Sequence, residues 1–165
     1  MVGTAAHLIS PWHEVISAVV VAMETHPDDA SVAENACLGL SSYFSIMFDN
    51  GTISAPEHDA TIFPRVVKAV IASLGREKPD QRHKFDTCGM MVLLDMCETD
   101  KAHILGVVNA GGVGVLQSVM LRHQANQTAV NKGYRLLSTI ARYYPLKLAV
   151  SSAMFELLRQ NRQNR

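Results

Sequence analysis

The chain has 165 residues, 48% of them hydrophobic and 18% charged, and its 15 basic and 15 acidic side chains leave no net charge. This length suffices for one domain that buries ~70% of the surface exposed by its unfolded form. The three cysteines are odd in number and form no CxxC pair, which argues against a disulfide framework or a zinc site. We therefore expect reduced thiols, no bound metal and no other cofactor.

Helical periodicity begins early in the chain. Ile16, Val19, Val20 and Met23 stand at positions i, i+3, i+4 and i+7, which predicts a helix with one buried face. The longest apolar stretch, 15–23, is far short of the ~20 residues that span a bilayer. We expect no membrane association. The absence of a basic segment followed by an apolar core near the N-terminus favours a cytoplasmic protein, with the nucleus left open.

A second helix follows within residues 26–44, and its pattern returns twice further along the chain. Counted from Val32, Phe85 and Ala129, each of the three segments has one small and two large apolar residues at the same distances along the chain. We call each set of matching positions a column. The columns are Ala36, Gly89 and Gly133 four residues on, Leu40, Leu93 and Leu137 eight on, and Tyr43, Met96 and Ile140 eleven on. A unit that recurs in this way usually cannot bury its own apolar face and must stack on its neighbours.

The helix that precedes each of these also recurs, so each unit is predicted to have two helices. The positions that match the first helix are Val67, Val70, Ile71 and Leu74 in the second unit, and Val113, Leu116 and Met120 in the third. We predict an all-α solenoid in a single domain, 1–165, with repeats at about 13–48, 60–98 and 101–144 and a capping helix at 145–160. Period-two alternation is scarce, so almost no sheet is expected.

Short polar signals mark the predicted helix boundaries. Asp28, Asp80 and Asn126 stand where a side-chain oxygen can cap the second predicted helix of each unit. Gly111 and Gly112 permit a sharp turn in the third unit. The glycines of the small column cost ~1 kcal/mol of helix propensity each relative to alanine, so we expect close helix packing at that column.

The third unit, NAGGVGVLQSVMLRHQANQTAVNKGYRLLSTIA at residues 109–141, resembles an armadillo repeat. It has a Gly-Gly turn, an apolar second helix, a His-x-x-Asn connector and a third helix with a small residue before its leucines. Residues 25–44 match the connector and third helix too, and the neighbouring HEAT class stays open for the same residues. The resemblance covers most of residues 13–150. It implies a right-handed, armadillo-like superhelix of about three repeats, whose third helices line a concave groove that binds other proteins.

The armadillo register also implies which side chains of the third helices face the groove. The candidate partner-binding residues are Asn35, Leu38, Ser42, Met91, Asp95, Glu98, Lys132, Arg135, Thr139 and Arg142. The basic members, Lys132, Arg135 and Arg142, are expected to contact anionic groups of a partner, and Asp95 and Glu98 cationic groups. A groove graded from neutral through acidic to basic suits a mixed-charge peptide or an amphipathic helix.

Family members that bind extended nuclear-import signals carry a tryptophan six residues after the anchor and an asparagine ten after it. This chain has Leu38, Met91 and Arg135 at the first position and Ser42, Asp95 and Thr139 at the second. The resemblance therefore does not imply that transport role. We predict a noncatalytic scaffold that binds another protein.

Charge is unevenly distributed along the chain. Residues 1–82 hold ten acidic and five basic side chains, and residues 83–165 reverse those numbers. From Arg122 onward there are eight basic residues and a single acid, Glu156. Since the fields of clustered charges add, the alternative function is binding of nucleic acid or another polyanion through the basic C-terminal third. The acidic and basic halves also complement each other head to tail, which keeps a homo-oligomer, or flanking repeats of a longer array, open.

No motif in the sequence indicates catalysis. His83, Cys97, His103 and His123 are candidates for a Cys-His nucleophile pair, but no recognisable spacing orders them. There is no Gly-rich phosphate loop, no HExxH and no GxSxG. His26 and His123 recur at the same repeat position, which favours a connector role in which the ring bonds a backbone carbonyl. We expect no enzymatic activity.

Overall fold

The computed structural model describes residues 11–49, 61–76 and 83–143. These residues form seven α-helices and no strand, which confirms the all-α prediction. The helices are α1 (Pro11–Thr25), α2 (Ala30–Asp49), α3 (Ile62–Leu74), α4 (His83–Thr99), α5 (Lys101–Asn109), α6 (Gly112–Arg122) and α7 (Gln127–Tyr143). The predicted capping helix at 145–160 and the predicted cap Asp80 lie outside the described residues.

The helices pack in two layers that follow the order of the chain. In the first layer α2 packs on α4, and α4 packs on α7. In the second layer α1 packs on α3, and α3 packs on α5 and α6. The layers contact each other mainly through α1 and α2, α3 and α4, α4 and α5, and α6 and α7. The central helix α4 therefore has neighbours in both layers.

The short helix α5 is an addition to the two helices predicted for each unit. Asp100 caps it, because one of its carboxylate oxygens accepts a hydrogen bond from the backbone N–H of Ala102 (2.8 Å). With nine residues, α5 is too short for a clear apolar period, so the two-helix prediction is wrong for the third unit. Among the described residues no single helix has the length and hydropathy to cross a membrane. The helices α5 and α6 together have the required length and hydropathy, but the pair is bent by 78°.

The core lies between the layers and contains the predicted columns, with one local shift. The buried positions are Ala36 and Leu40 in α2, Phe85, Gly89, Leu93 and Met96 in α4, and Ala129, Gly133, Leu137 and Ile140 in α7. In α2 the predicted Val32 and Tyr43 are only partly buried. Their neighbours Ala33 and Phe44 are buried in their place, so the anchor of the first unit is one residue too early. Phe44 also meets Phe63 of the second layer, with ring centroids 6.0 Å apart.

Side-chain caps begin α2 and α7. A carboxylate oxygen of Asp29 accepts hydrogen bonds from two backbone N–H groups of the first turn of α2, at 2.8 and 3.1 Å. The predicted cap Asp28 is therefore wrong by one residue. For α7 the prediction is confirmed, because the side-chain oxygen of Asn126 accepts from the N–H of Ala129 (3.2 Å).

Glycines permit one turn and two close helix contacts. Gly111 has a φ of 74°, a left-handed conformation that suits glycine in the predicted turn before α6. A Cβ added to Gly133 would lie 2.5 Å from Cγ of Met120, and one added to Gly89 would lie 3.0 Å from Cδ2 of Leu74. The small column thus keeps α7 close to α6 and α4 close to α3, as the sequence predicts.

A buried charged network joins α4 to the connector between α6 and α7. Nε2 of His123 lies 2.5 Å from Oδ2 of Asp86. Nη1 of Arg122 donates to the same oxygen and to the backbone carbonyl of Arg76, both at 3.3 Å. Asp86 and His123 are buried, and buried polar groups are tolerated where they are hydrogen-bonded. The sequence analysis does not predict this carboxylate partner, and His26, at the matching repeat position, is exposed.

Candidate partner-binding face

Only a narrow stripe of α4 is accessible from outside, because α4 has neighbours in both layers. Between positions 85 and 99 the accessible residues are Thr87, Cys88, Met91, Asp95, Glu98 and Thr99. Every other residue in that range is buried. Since α2 and α7 flank α4, this stripe forms the middle of the outer side of the first layer.

None of the ten predicted partner-binding residues is buried. The exposed ones are Asn35, Ser42, Glu98, Arg135 and Arg142, and the partly exposed ones are Leu38, Met91, Asp95, Lys132 and Thr139. We call these ten residues the α2–α4–α7 face. Its charged members are brought together at the junction of α4 and α7, whereas its members on α2 are polar or apolar.

Glu98 of α4 and Arg135 of α7 form a two-point ion pair across that junction. Nε of Arg135 donates to Oε1 of Glu98 (3.0 Å), and Nη2 donates to Oε2 (2.9 Å). The planar guanidinium suits such two-point binding of a carboxylate. We predict from the sequence that these side chains bind partner groups of opposite charge, but in the free chain they bind each other. The arginine side chain nevertheless keeps 60% of its accessible surface.

Asp95 lies one turn before Glu98 on α4. Burial raises the pKa of its carboxyl to about 6, and the neighbouring charge of Glu98 acts in the same direction. The positive charges of Lys132 and Arg135 oppose this rise. The middle of the face therefore has one acidic group that titrates near pH 6.

A recess of about 370 Å³ opens beside the Glu98–Arg135 pair. Its lining residues are Cys97, Glu98, Thr99, Lys101, Arg135, Thr139, Arg142 and Tyr143. Nζ of Lys101 lies 4.9 Å from the ring centroid of Tyr143, a cation–π arrangement that joins α5 to α7. The sequence analysis misses Lys101 because it does not predict α5.

A second recess, of about 380 Å³, lies along α7. Its lining residues are Asn131, Lys132, Tyr134, Arg135 and Ser138. Arg135 borders both recesses, so the α7 end of the face offers two neighbouring depressions, each with basic side chains at its wall.

Three of the four candidates for a Cys-His pair, Cys97, His103 and His123, are buried in the structure. Burial raises the pKa of Cys97 to about 12, so its thiol stays protonated at neutral pH and lacks the thiolate that a nucleophile needs. Nδ1 of His103 lies 2.9 Å from a backbone carbonyl oxygen of α4. The ring of His123 is fully buried against Asp86. The side chain of His83 lies outside the described residues.

Within residues 11–49, 61–76 and 83–143, no group of three or more His, Cys, Asp or Glu side chains is arranged to hold a metal ion. No family model matches the sequence, and neither a curated protein nor a solved structure matches it. The geometry and charge of the α2–α4–α7 face are therefore the features that bear on function.

Proposed function

We propose that the chain is a noncatalytic protein-interaction module that binds a peptide or an amphipathic helix of a partner along the α2–α4–α7 face. One observation carries the proposal: ten residues chosen from three separate sequence segments all remain accessible on three helices that pack side by side. A face of three adjacent helices is long enough to hold an extended segment at several points.

The order of helix packing supports an armadillo-like solenoid for this module. In such an array each helix contacts its counterpart in the next repeat, as α2, α4 and α7 do in one layer and α1, α3 and α6 do in the other. In the proposed right-handed superhelix, the first layer lines the concave groove with the side that faces away from the second layer. The partner segment then crosses α2, α4 and α7 in turn.

The chemistry of the face favours a segment of mixed character. Asn35 and Ser42 offer uncharged polar contacts on α2, and Met91 offers an adaptable apolar contact on α4. Basic side chains dominate the α7 end. We therefore propose that the partner segment places apolar or polar residues over α2 and α4 and acidic groups over α7.

Binding of nucleic acid or another polyanion is the second candidate. Exposed Tyr134 and Tyr143 stand near basic side chains on α7, an arrangement that can hold bases and phosphates. Two basic residues of this region are already paired, however: Arg122 with Asp86 and Arg135 with Glu98. Within the described residues 83–143, these pairs reduce the basic surface left for a phosphate backbone, which favours a protein partner.

The experiment that tests the proposal compares charge reversals on the two layers. The partner retained by the immobilised chain is identified, and the affinity of its binding segment is measured by calorimetry. We expect Arg135→Glu with Arg142→Glu to weaken binding about tenfold or more, because two cationic contacts become repulsive. Arg65→Glu is the matched control, since Arg65 makes a similar two-point pair with Glu24 in the second layer. It should leave the affinity within about twofold.

Unchanged affinity in the double variant, or an equal loss in the control, would place binding on another surface. The nucleic-acid candidate is tested in parallel with single-stranded RNA and DNA. Affinity for either that falls steeply with salt, and that depends on the same two arginines, would replace the protein-binding proposal.

A further inference from the structure

We propose that the recess lined by Lys101, Arg135 and Arg142 binds an anionic oxygen group of the partner segment, a carboxylate or a phosphate, and that Glu98 occupies part of this site in the free chain. The inference deepens the proposed function and rests on it for the identity of the ligand's carrier. The anion site itself is testable without the partner.

The recess collects positive charge from two helices. Lys101 comes from the first turn of α5, and Arg135 and Arg142 come from α7. Glu98 is the single acidic residue among the lining side chains. Three cations against one carboxylate leave an excess of positive charge around a space that admits a small oxyanion. Thr139 adds a hydroxyl that can donate a hydrogen bond.

Two of the cations are available to a ligand. Arg142 is exposed and makes no ion pair with any residue in the described part of the chain. Lys101 lies over the ring of Tyr143, a contact that keeps its ammonium group beside α7 without neutralising its charge. An anion in the recess would therefore meet two cations, Lys101 and Arg142, that are not paired with a carboxylate of residues 11–49, 61–76 or 83–143.

The Glu98–Arg135 pair shows what the site accepts. Arg135 holds a carboxylate by two parallel hydrogen bonds, the geometry in which arginine also binds phosphate. The pair is exposed, and exposed ion pairs contribute little net stability. An incoming anion that contacts Lys101 and Arg142 as well can therefore displace Glu98 from Arg135 at small cost. In this account Glu98 competes with the ligand.

If Glu98 competes with the ligand, substitutions of Arg142 and of Glu98 should change the affinity for phosphate in opposite directions. Sodium phosphate is titrated into the whole chain at neutral pH and constant ionic strength, and backbone amide shifts are followed by two-dimensional NMR. We expect saturable shifts at Lys101, Arg142 and Tyr143. Arg142→Gln should weaken phosphate binding several-fold, and Glu98→Gln should strengthen it several-fold, because the first removes a cation and the second removes the competitor.

Arg65→Gln is the matched control, because it removes an arginine from the equivalent pair in the second layer. It should leave the titration unchanged. Shifts that rise linearly without saturation, or that are insensitive to Arg142→Gln, would overturn the anion site. Phosphate binding that Glu98→Gln fails to strengthen would overturn the competing role of Glu98.

Two small probes distinguish the sources of the anion. N-acetyl-phosphoserine amide carries a phosphate and N-acetylglutamate amide carries a carboxylate, with N-acetylserine amide as the neutral control. Stronger saturable binding of the first indicates a phosphorylated segment, and comparable binding of the second indicates an acidic one. Binding of neither probe would overturn the inference.

The failure of this inference is distinguishable from failure of the proposed function. If the probes bind but charge reversal leaves the partner's affinity unchanged, the anion site stands and the proposed binding face fails. If the reverse holds, the face stands without an anion site in the recess.

Discussion

Asp95 is the residue of the α2–α4–α7 face at which the surroundings most alter the acid–base chemistry. Its carboxyl is partly buried in the stripe of α4 that remains accessible between α2 and α7, and it has Glu98 one turn away. Both circumstances disfavour the charged form, and the cations of α7 compensate only in part. At neutral pH the ionised carboxylate of Asp95 therefore destabilises the free chain, and a cationic group of a partner would reduce this destabilisation.

We expect Asp95→Asn to stabilise the protein at pH 7.5 and to change its stability little at pH 4. The native carboxyl has a pKa of about 6, compared with 3.8 for an aspartate in water. Between these values the native state binds more protons than the unfolded state, so the stability contributed by Asp95 falls as the pH rises. It is lost above about pH 6. The difference between the two pKa values corresponds to at most ~3 kcal/mol of stability. Because Asp95 is partly exposed, we expect Asp95→Asn to stabilise the protein at pH 7.5 by about 1 kcal/mol.

Urea unfolding of the variant and the wild type at the two pH values measures this difference. Each pH provides its own wild-type reference, so general acid effects cancel. A variant less stable than the wild type at pH 7.5, or one equally stabilised at both pH values, would contradict the assigned pKa.

The sequence predicts which residues of the face are accessible but not which of them pair. The armadillo register implies that all ten face a groove instead of the core, and none is buried in the structure. Glu98 and Arg135 are 37 residues apart, and their contact arises only when α7 packs on α4. Periodicity identifies the buried side of each helix, whereas the rotation of one helix against another depends on side chains from both.

At the scale of single helices, α7 packs closely on α6 because Gly133 has no side chain. A Cβ at Gly133 would lie 2.5 Å from Cγ and 2.6 Å from Sδ of Met120, and 3.3 Å from Sδ of Met90. Met120 is fully buried, so it has little space into which to move. Gly39, in α2, has nothing within 4 Å of the equivalent Cβ position and serves as a matched control.

We expect Gly133→Ala to lower the free energy of unfolding and Gly39→Ala to raise it. Overpacking costs ~1 to 3 kcal/mol, and the gain in helix propensity returns up to ~1 kcal/mol, so the first variant should lose about 1 kcal/mol or more. The second should gain up to ~1 kcal/mol from propensity alone. Thermal or urea unfolding of both variants checks the signs. A Gly133→Ala protein as stable as the Gly39→Ala protein would contradict the close approach of α7 and α6.

The elements themselves were largely predictable, and the errors have local causes. The buried column of α2 is displaced by one residue because Val32 and Ala33 are both apolar and the pattern fits either. The same ambiguity of adjacent residues applies to Asp28 and Asp29, of which the second caps the helix. The helix α5 was not predicted because nine residues are too few to show a clear apolar period.

On the scale of the whole molecule, α4 packs on α2 and α7 packs on α4, and the apolar columns of these helices lie mostly in the core. That these contacts are the stacking of successive solenoid repeats stays a prediction. The accessible stripe of α4 lies outside the contacts between these helices. A surface that these contacts leave uncovered and that gathers both signs of charge is suited to binding a partner.

Site-specific photo-crosslinking can show whether a partner lies along the α2–α4–α7 face. A photoreactive amino acid is placed at Ser42 of α2 or at Thr139 of α7, and as a control at Ala72, an accessible position of α3 in the second layer. We expect the retained partner to be labelled from Ser42 and from Thr139 but not from Ala72. Labelling from Ala72 alone, or equal labelling from all three positions, would contradict this expectation.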